Sequence, residues 1–222
     1  MADNTTINAQ SGGDIIATDD VGGVKYQIVK HAFGALDTAT LVSATNPFPV
    51  TQIKQATYRA STIAVLVPAV TSPNPWFVIE GSATKTIRIQ SIVISGITLT
   101  AVAYINIGLK KYSTAASLGT STTLTGVPMD SASAAATATV KAYTAIPTAG
   151  TTVGDVSSRR VIGQATTAAA AGLTQMVDLD FSPTGDGTSP VLRGIAQGLG
   201  LYFITAPATT ISCLVRVEWT EE

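Results

Sequence analysis

The chain has 222 residues, a formal net charge of -1 and 12 % charged residues, against about 25 % in ordinary domains. No basic field is available to hold nucleic acid, and no uninterrupted apolar run is long enough to span a membrane. With 45 % hydrophobic but only 6 % aromatic residues, the apolar share is mostly Ala, Val, Ile and Leu. That composition opposes disorder and suits a protein whose surface is covered by other subunits.

In chain order, residues 1–17 are small and polar and read as a flexible arm. "MADNTTINAQSGG" has neither a basic nor an apolar leader region, so no secretory signal is expected. "TDD" (18–20) before Gly22-Gly23 reads as turn chemistry. "GGVKYQIVKHAFG" alternates as a strand does, with Val24, Tyr26 and Ile28 on one side. "ALDTATLVSATNPFPV" reads as a turn, a short strand and an exit held extended by Pro47 and Pro49. Residues 1–50 therefore form an arm and a small β attachment segment, too small to bury a core alone. Ile15, Ile16, Val24, Tyr26, Ile28 and Phe33 are its candidate partner-binding residues.

From residue 51 the pattern becomes a succession of strands. "ATYRASTIAVLVPAV" (56–70) is rich in β-branched residues, and "PWFVIEG" (75–81) is a short strand after a turn. "TKTIRIQSIVISGITLTAVAYINIGLKKYS" (84–113) reads as two long strands broken at Gly96. In the first, Ile87, Ile89, Ser91, Val93 and Ser95 share one face. In the second, Ile105 and Ile107 oppose Tyr104 and Asn106. Residues 116–129, rich in Thr and Gly, suit a long loop or an edge hairpin. "DSASAAATATVKAY" (130–143) is expected to be a helix, capped by Asp130 or Ser131 and stopped by Pro147. "RRVIGQATT", "LTQMVDLDF", "LGLYFIT" and "TISCLVRVEWTEE" supply further strands. The expected fold is all-β: an antiparallel β-sandwich or jelly-roll-like body over 51–222, with at most one or two short helices.

Chemistry-bearing motifs are sparse. The lone Cys213 lies in an alternating apolar run and reads as a buried small hydrophobe. The lone His31 has no second ligand at metal spacing. Asp178 and Asp180, with Asp186 nearby, have the oxygen chemistry of a hard-cation site, but fit solvent-facing strand acids better. Arg159-Arg160 reads as a solvated strand start. "QGLGLY" has a G-x-G but neither the third glycine nor a following helix of a dinucleotide site. Glu80 and Glu218, close to Trp residues, are weak candidates for sugar chemistry. No catalytic residue, cofactor or metal site is assigned, and the chain is expected not to be an enzyme.

The stretch 15–50 resembles the N-terminal segment of many tailed-bacteriophage virion proteins. In that segment an acidic residue and a Gly pair open a strand carrying a Tyr/His-Gln and a Lys, and an "NPLPV"-like exit follows. The residues that carry the resemblance are Asp20, Gly22, Gly23, Tyr26, Gln27, Lys30, Asn46, Pro47, Pro49 and Val50, while His31 and Phe33 depart from the usual small or charged residues. "VPMDSASAAATATVKAYTAIPT" and the stretch from Ser189 to Glu222 resemble the β-sandwich body of phage structural proteins. The resemblance implies a virion component made in the bacterial cytoplasm. The leading expectation is a capsid decoration (cement) protein on the outer capsid surface. It would bind the major capsid protein or other virion subunits as a homo-oligomer, a trimer being the form considered. The alternatives are a tail, collar, baseplate or fibre-base protein, and a carbohydrate-binding β-sandwich.

Overall fold

The structure is a computed structural model of the chain. It describes residues 55–62, 65–67, 73–165, 175–181 and 188–222, and six short strands of residues 1–53 by backbone alone. The chain divides into two units, Met1–Ile53 and Lys54–Glu222.

In the first unit β1 (Thr5–Thr6) pairs with β2 (Ile15–Ile16), β3 (Thr18–Val21) with β4 (Val24–Gln27), and β5 (Ala32–Phe33) with β6 (Thr40–Leu41), all antiparallel. Two expectations are corrected here. Residues 1–17 contribute two paired strands, because Thr5-Thr6 and Ile15-Ile16 are β-branched and favour extended backbone. The acids Asp19 and Asp20 lie within β3, and the Gly pair falls between β3 and β4.

The second unit contains β7 (Ala56–Ser61), β8 (Val65–Val67), β9 (Phe77–Glu80), β10 (Thr86–Leu99), β11 (Ala103–Tyr112), β12 (Thr120–Leu124), β13 (Val127–Pro128), β14 (Thr139–Ala145), β15 (Thr152–Ala165), β16 (Val177–Asp180), β17 (Val191–Arg193), β18 (Gly198–Phe203) and β19 (Ile211–Glu221). Ten of them follow the path β12-β14-β9-β18-β11-β15-β10-β19-β7-β13, with β16 and β17 added to β10 and β8 to β19. Among the described residues every pairing is antiparallel except one, where Thr98 and Leu99 run parallel to Gln164 and Ala165. Around that corner the sheet curls, giving an all-β, β-sandwich-like body with no helix among the described residues.

The inward faces meet in one apolar cluster. Phe77, Ile79, Leu199, Leu201, Phe203, Ile107 and Leu109 come from the β9-β18-β11 half. Ile87, Ile89, Ile92, Ile94, Val215, Val217 and Trp219 come from the β10-β19 half. Each such side chain contributes about 1.5–3 kcal/mol when fully buried. Trp76 stacks on Phe203 at 5.6 Å, and Tyr58 on Trp219 at 5.8 Å.

Strand β10 corrects the reading of 84–113. It runs unbroken through Gly96, and its residues in the apolar core are Ile87, Ile89, Ile92, Ile94, Ile97 and Leu99, while Val93 is buried outside that cluster. The apolar spacing alternates two, three, two, three, two, which a regular strand cannot satisfy. Two register shifts against β19 resolve it, one between Ile89 and Ser91, the other between Ser95 and Thr98. Each inserts an extra residue on β10 and returns the next apolar pair to the core. Gly96 lies in the second bulge with φ of 62°, a conformation that favours glycine.

The predicted helix over 130–143 is absent. Asp130 closes a turn instead: its carboxylate accepts from the Ala132 amide at 3.0 Å and its carbonyl from the Ser133 amide at 2.9 Å. Thr139–Ala145 is strand β14, pairing with β9 through Val140 and Ile79. Thr139, Val140 and Tyr143 favour extended backbone, and pairing against β9 and β12 buries Val140, Ala142 and Tyr143, outweighing the helix propensity of the alanines. Residues 116–129 form neither a plain loop nor a hairpin of their own: β12 pairs with β14 at one end of the path, and β13 pairs with β7 at the other.

Candidate functional site

The sequence candidates scatter rather than converge. Asp178 is exposed and Asp180 half-buried, on the face of β16 opposite buried Val177 and Leu179. Asp186 and His31 lie outside the described residues. Cys213 is buried, and burial pushes its thiol up to about 12. Glu80 is buried and bound by the Lys141 ammonium at 2.7 and 2.9 Å, whereas Glu218 pairs with Arg59 at 2.6 Å. "QGLGLY" forms β18, in the middle of the sheet. Among the attachment candidates, Ile15 and Ile16 pair with Thr6 and Thr5. Val24 and Tyr26 pair with Val21 and Asp19, and Phe33 pairs with Thr40. Ile28 lies outside the described residues.

Two surfaces of the body stand out. The first is the β12–β13 side. Strand β12 ends the ten-strand path at one end and β13 at the other, and only residues 125–126 separate them. Between Lys111 and Lys141 the sole charged residue is Asp130. Thr120, Ser121, Thr122 and Thr123 are all exposed, and among the described residues β12 pairs on one side only. Leu118, just before β12, holds a φ of 61° and is 81 % exposed. A bulky side chain in the left-handed region is strained, and this one is held in water. Val127 of β13 and Met129 just after it are also exposed. Soluble edges are ordinarily blunted by charge, proline or bulges; β12 has neither charge nor proline, and one register shift against β14, between Thr120 and Ser121.

The second surface is the start of β15. Arg159-Arg160 does not begin a strand, as the sequence reading had it; β15 starts at Thr152, seven residues earlier in the chain. From Thr152 to Arg160 every residue except half-buried Ser157 is exposed, so neither face of the strand is covered. Among the described residues its only strand partner there is β11. The Ile162 amide turns away from β11 and donates to Gln175 Oε1 at 2.7 Å. Strand alternation therefore directs the Arg160 and Ser158 backbones to the same outer edge.

Side chains along this edge are ordered by polar contacts. Arg160 Nε donates to Asn106 Oδ1 at 2.9 Å, and its guanidinium lies 5.9 Å from the exposed Tyr104 ring. Asp155 Oδ1 accepts from Lys110 at 2.8 Å and from the Tyr202 hydroxyl at 2.7 Å. Those two bonds, Lys110 first, hold the Asp155 carboxyl below its ordinary range. Burial, reinforced by the Asp155 bond, pushes the Tyr202 phenol up to about 12. Lys110 also sits 4.7 Å over the Tyr202 ring. The ring lies across Gly108 of β11, where a Cβ would overlap its carbons and stand 2.7 Å from its hydroxyl. A shallow recess of about 360 Å³ opens beside this cluster, lined by Asp155, Val156, Ser157, Ser158, Tyr202 and Ile204. It is a surface depression whose one acid, Asp155, is paired with Lys110.

Sequence reasoning missed Leu118 and the Lys110–Asp155–Tyr202 cluster. The only sequence signal for the cluster was the pairing of a strand glycine with a strand tyrosine, which needs the register to be seen. No protein-family model matches the chain, and neither a curated protein nor a solved structure does.

Proposed function

We propose that this chain is a non-enzymatic structural subunit of a tailed-bacteriophage virion, a capsid decoration protein that binds the major capsid lattice and stabilises it. The observation that carries the reading is the β12–β13 side. A strained, exposed leucine stands at the head of an uncharged, one-sided strand edge, in a chain with few charges anywhere. Such a surface costs little to desolvate against protein, because Thr, Ser and Ala carry little side-chain entropy and no charge. Strand addition at such an edge is an established mode of attachment.

The N-terminal segment supports the same reading through its resemblance to virion proteins. It would supply a second point of attachment through Ile15, Ile16, Val24, Tyr26, Ile28 and Phe33. The testing experiment is quantitative electrophoresis of purified particles of the phage whose genome encodes the chain. A decoration protein is present in copy numbers rivalling the major capsid protein. A band at the level of tail components points to the tail or collar instead, and no band refutes the virion reading.

A further inference from the structure

No residue from Ser113 to Thr139 is buried, yet this stretch crosses from one end of the sheet path to the other. It forms one end as β12, paired with β14, reaches the opposite end as β13, paired with β7, and returns to β14. On the way it lies over the stacked Tyr58 and Trp219 rings, both buried. A Cβ on Gly126 would stand 2.9 Å from the indole carbons and 2.6 Å from the Ala136 Cβ, so the outgoing and returning limbs meet on the Trp219 ring.

Its fastenings are polar. The Met129 amide donates to the Thr57 carbonyl at 2.8 Å, and the Tyr58 hydroxyl to the Ala134 carbonyl at 3.0 Å. The returning limb is held by the Glu221 carboxylate, which accepts from the Thr137 amide and hydroxyl and from the Ala138 amide. At the start of the outgoing limb stands Leu118 with a φ of 61°, followed by Gly119 at 73°. We propose that residues 118–138 are a strap that opens as a unit from an otherwise closed body, latched by the Glu221 carboxylate and biased towards release by the strain at Leu118.

Segments with few buried apolar contacts open at a fraction of the free energy of global unfolding. Thr120 to Thr123 are all exposed, and Leu124, Ala136 and Ala138 are only partly buried against the core. The closed strap fixes Leu118 in the left-handed region between the Ser117–Thr148 bridge and β12, and opening frees it. Glu221 opposes release, because hydrogen bonds to a charged acceptor are the strong ones, and Trp219 Nε1 steadies the carboxylate from the core side at 3.0 Å. The open form bares the Tyr58–Trp219 pair and the edge of β7 that β13 covers. This inference stands apart from the virion reading, since the strap opens with or without a capsid.

Native-state amide hydrogen exchange followed by NMR on the full chain is the test. The reporter is the Met129 amide, whose acceptor, the Thr57 carbonyl, neither substitution below touches. In the wild type Met129 is expected to exchange at least ~100-fold faster than the slowest amides of β11 and β18, with a weaker dependence on added urea. Glu221→Gln should speed Met129 about 5–30-fold. Leu118→Asn, which tolerates positive φ, should slow it about 3–10-fold. The protected amides of β12 should move with Met129 in both variants, and the far-UV circular dichroism spectra should stay as in the wild type. Met129 exchanging as slowly as β11 overturns the proposal, because the strap then opens only when the body unfolds. So does a Met129 rate that either substitution leaves unchanged or shifts the other way, and so do β12 amides that fail to follow Met129.

Discussion

Glu221 offers the sharpest test of how the body is held closed. It is buried near the end of β19, and the four donors that reach its carboxylate are neutral. Trp219 Nε1 donates at 3.0 Å, the Thr137 amide at 2.9 Å, the Thr137 hydroxyl at 2.7 Å and the Ala138 amide at 3.0 Å. The carboxylate thereby ties the segment before β14 to the last strand of the opposite half. A Glu221→Ala change leaves the buried indole N–H and the amides without an acceptor. Hydrogen bonds to a charged group are worth about 1.5–3 kcal/mol each. Thr137 is exposed and regains water, so the donors do not sum, and the expected loss is about 3 kcal/mol. That corresponds to about 6–12 °C in Tm for a domain of this size. Glu221→Gln keeps an acceptor oxygen but aims an NH2 at the donors, and should cost about 1–2 kcal/mol.

Urea unfolding followed by far-UV circular dichroism reads both, with the slope unchanged. Burial opposes the ionised form of Glu221, but its hydrogen bonds prevail and its pKa is lowered. A depressed folded value means the stabilisation is fully present above the unfolded value of about 4.3 and is lost as pH falls through the folded value. The gap between wild type and Glu221→Gln should thus be full at neutrality and close on acidification below about pH 4. A Glu221→Ala loss under about 1 kcal/mol, or a gap independent of pH, refutes the reasoning.

Other outcomes follow from the same structure. Lys141→Met strands the buried Glu80 carboxylate and should cost about 3–5 kcal/mol by urea midpoint; an unchanged midpoint would show that Glu80 is solvated. Gly108→Ala forces the Tyr202 ring off β11 and breaks its bond to Asp155, for about 1–3 kcal/mol, whereas Tyr202→Phe should cost about 1 kcal/mol. Equal losses would mean that the ring does not press on Gly108. Cys213 should resist Ellman's reagent at about pH 8 in the native protein and react fully in denaturant; native labelling would contradict its burial. Deleting residues 1–50 should leave a cooperatively melting β body that no longer binds particles. A truncated chain that fails to fold would assign the segment to the core.

The strands were legible wherever apolar and polar residues alternate with period two. Ile105 and Ile107 of β11 and the run from Ile211 to Trp219 in β19 show it directly. Legibility failed where a tertiary partner changed the local rule. The two long strands of 84–113 are there, but the second bulge of β10, at Gly96, reads as the break between them, which falls at residues 100–102 instead; the three-residue gaps from Ile89 to Ile92 and from Ile94 to Ile97 are visible in hindsight. The alanines before β14 suggested a helix because the open edges of β9 and β12 cannot be read from residues 130–143 alone. The two surfaces were harder still. Leu118 looks ordinary until its backbone conformation is known. Asp155 is unremarkable until the strand register brings it to Lys110 and Tyr202.

Intact particles examined by electron microscopy after labelling with gold-conjugated antibody to the 54–222 unit test the central claim most directly. Decoration of the capsid predicts gold spread over the head surface in a regular distribution. Gold confined to the tail, collar or baseplate, or no labelling of the particle, contradicts it.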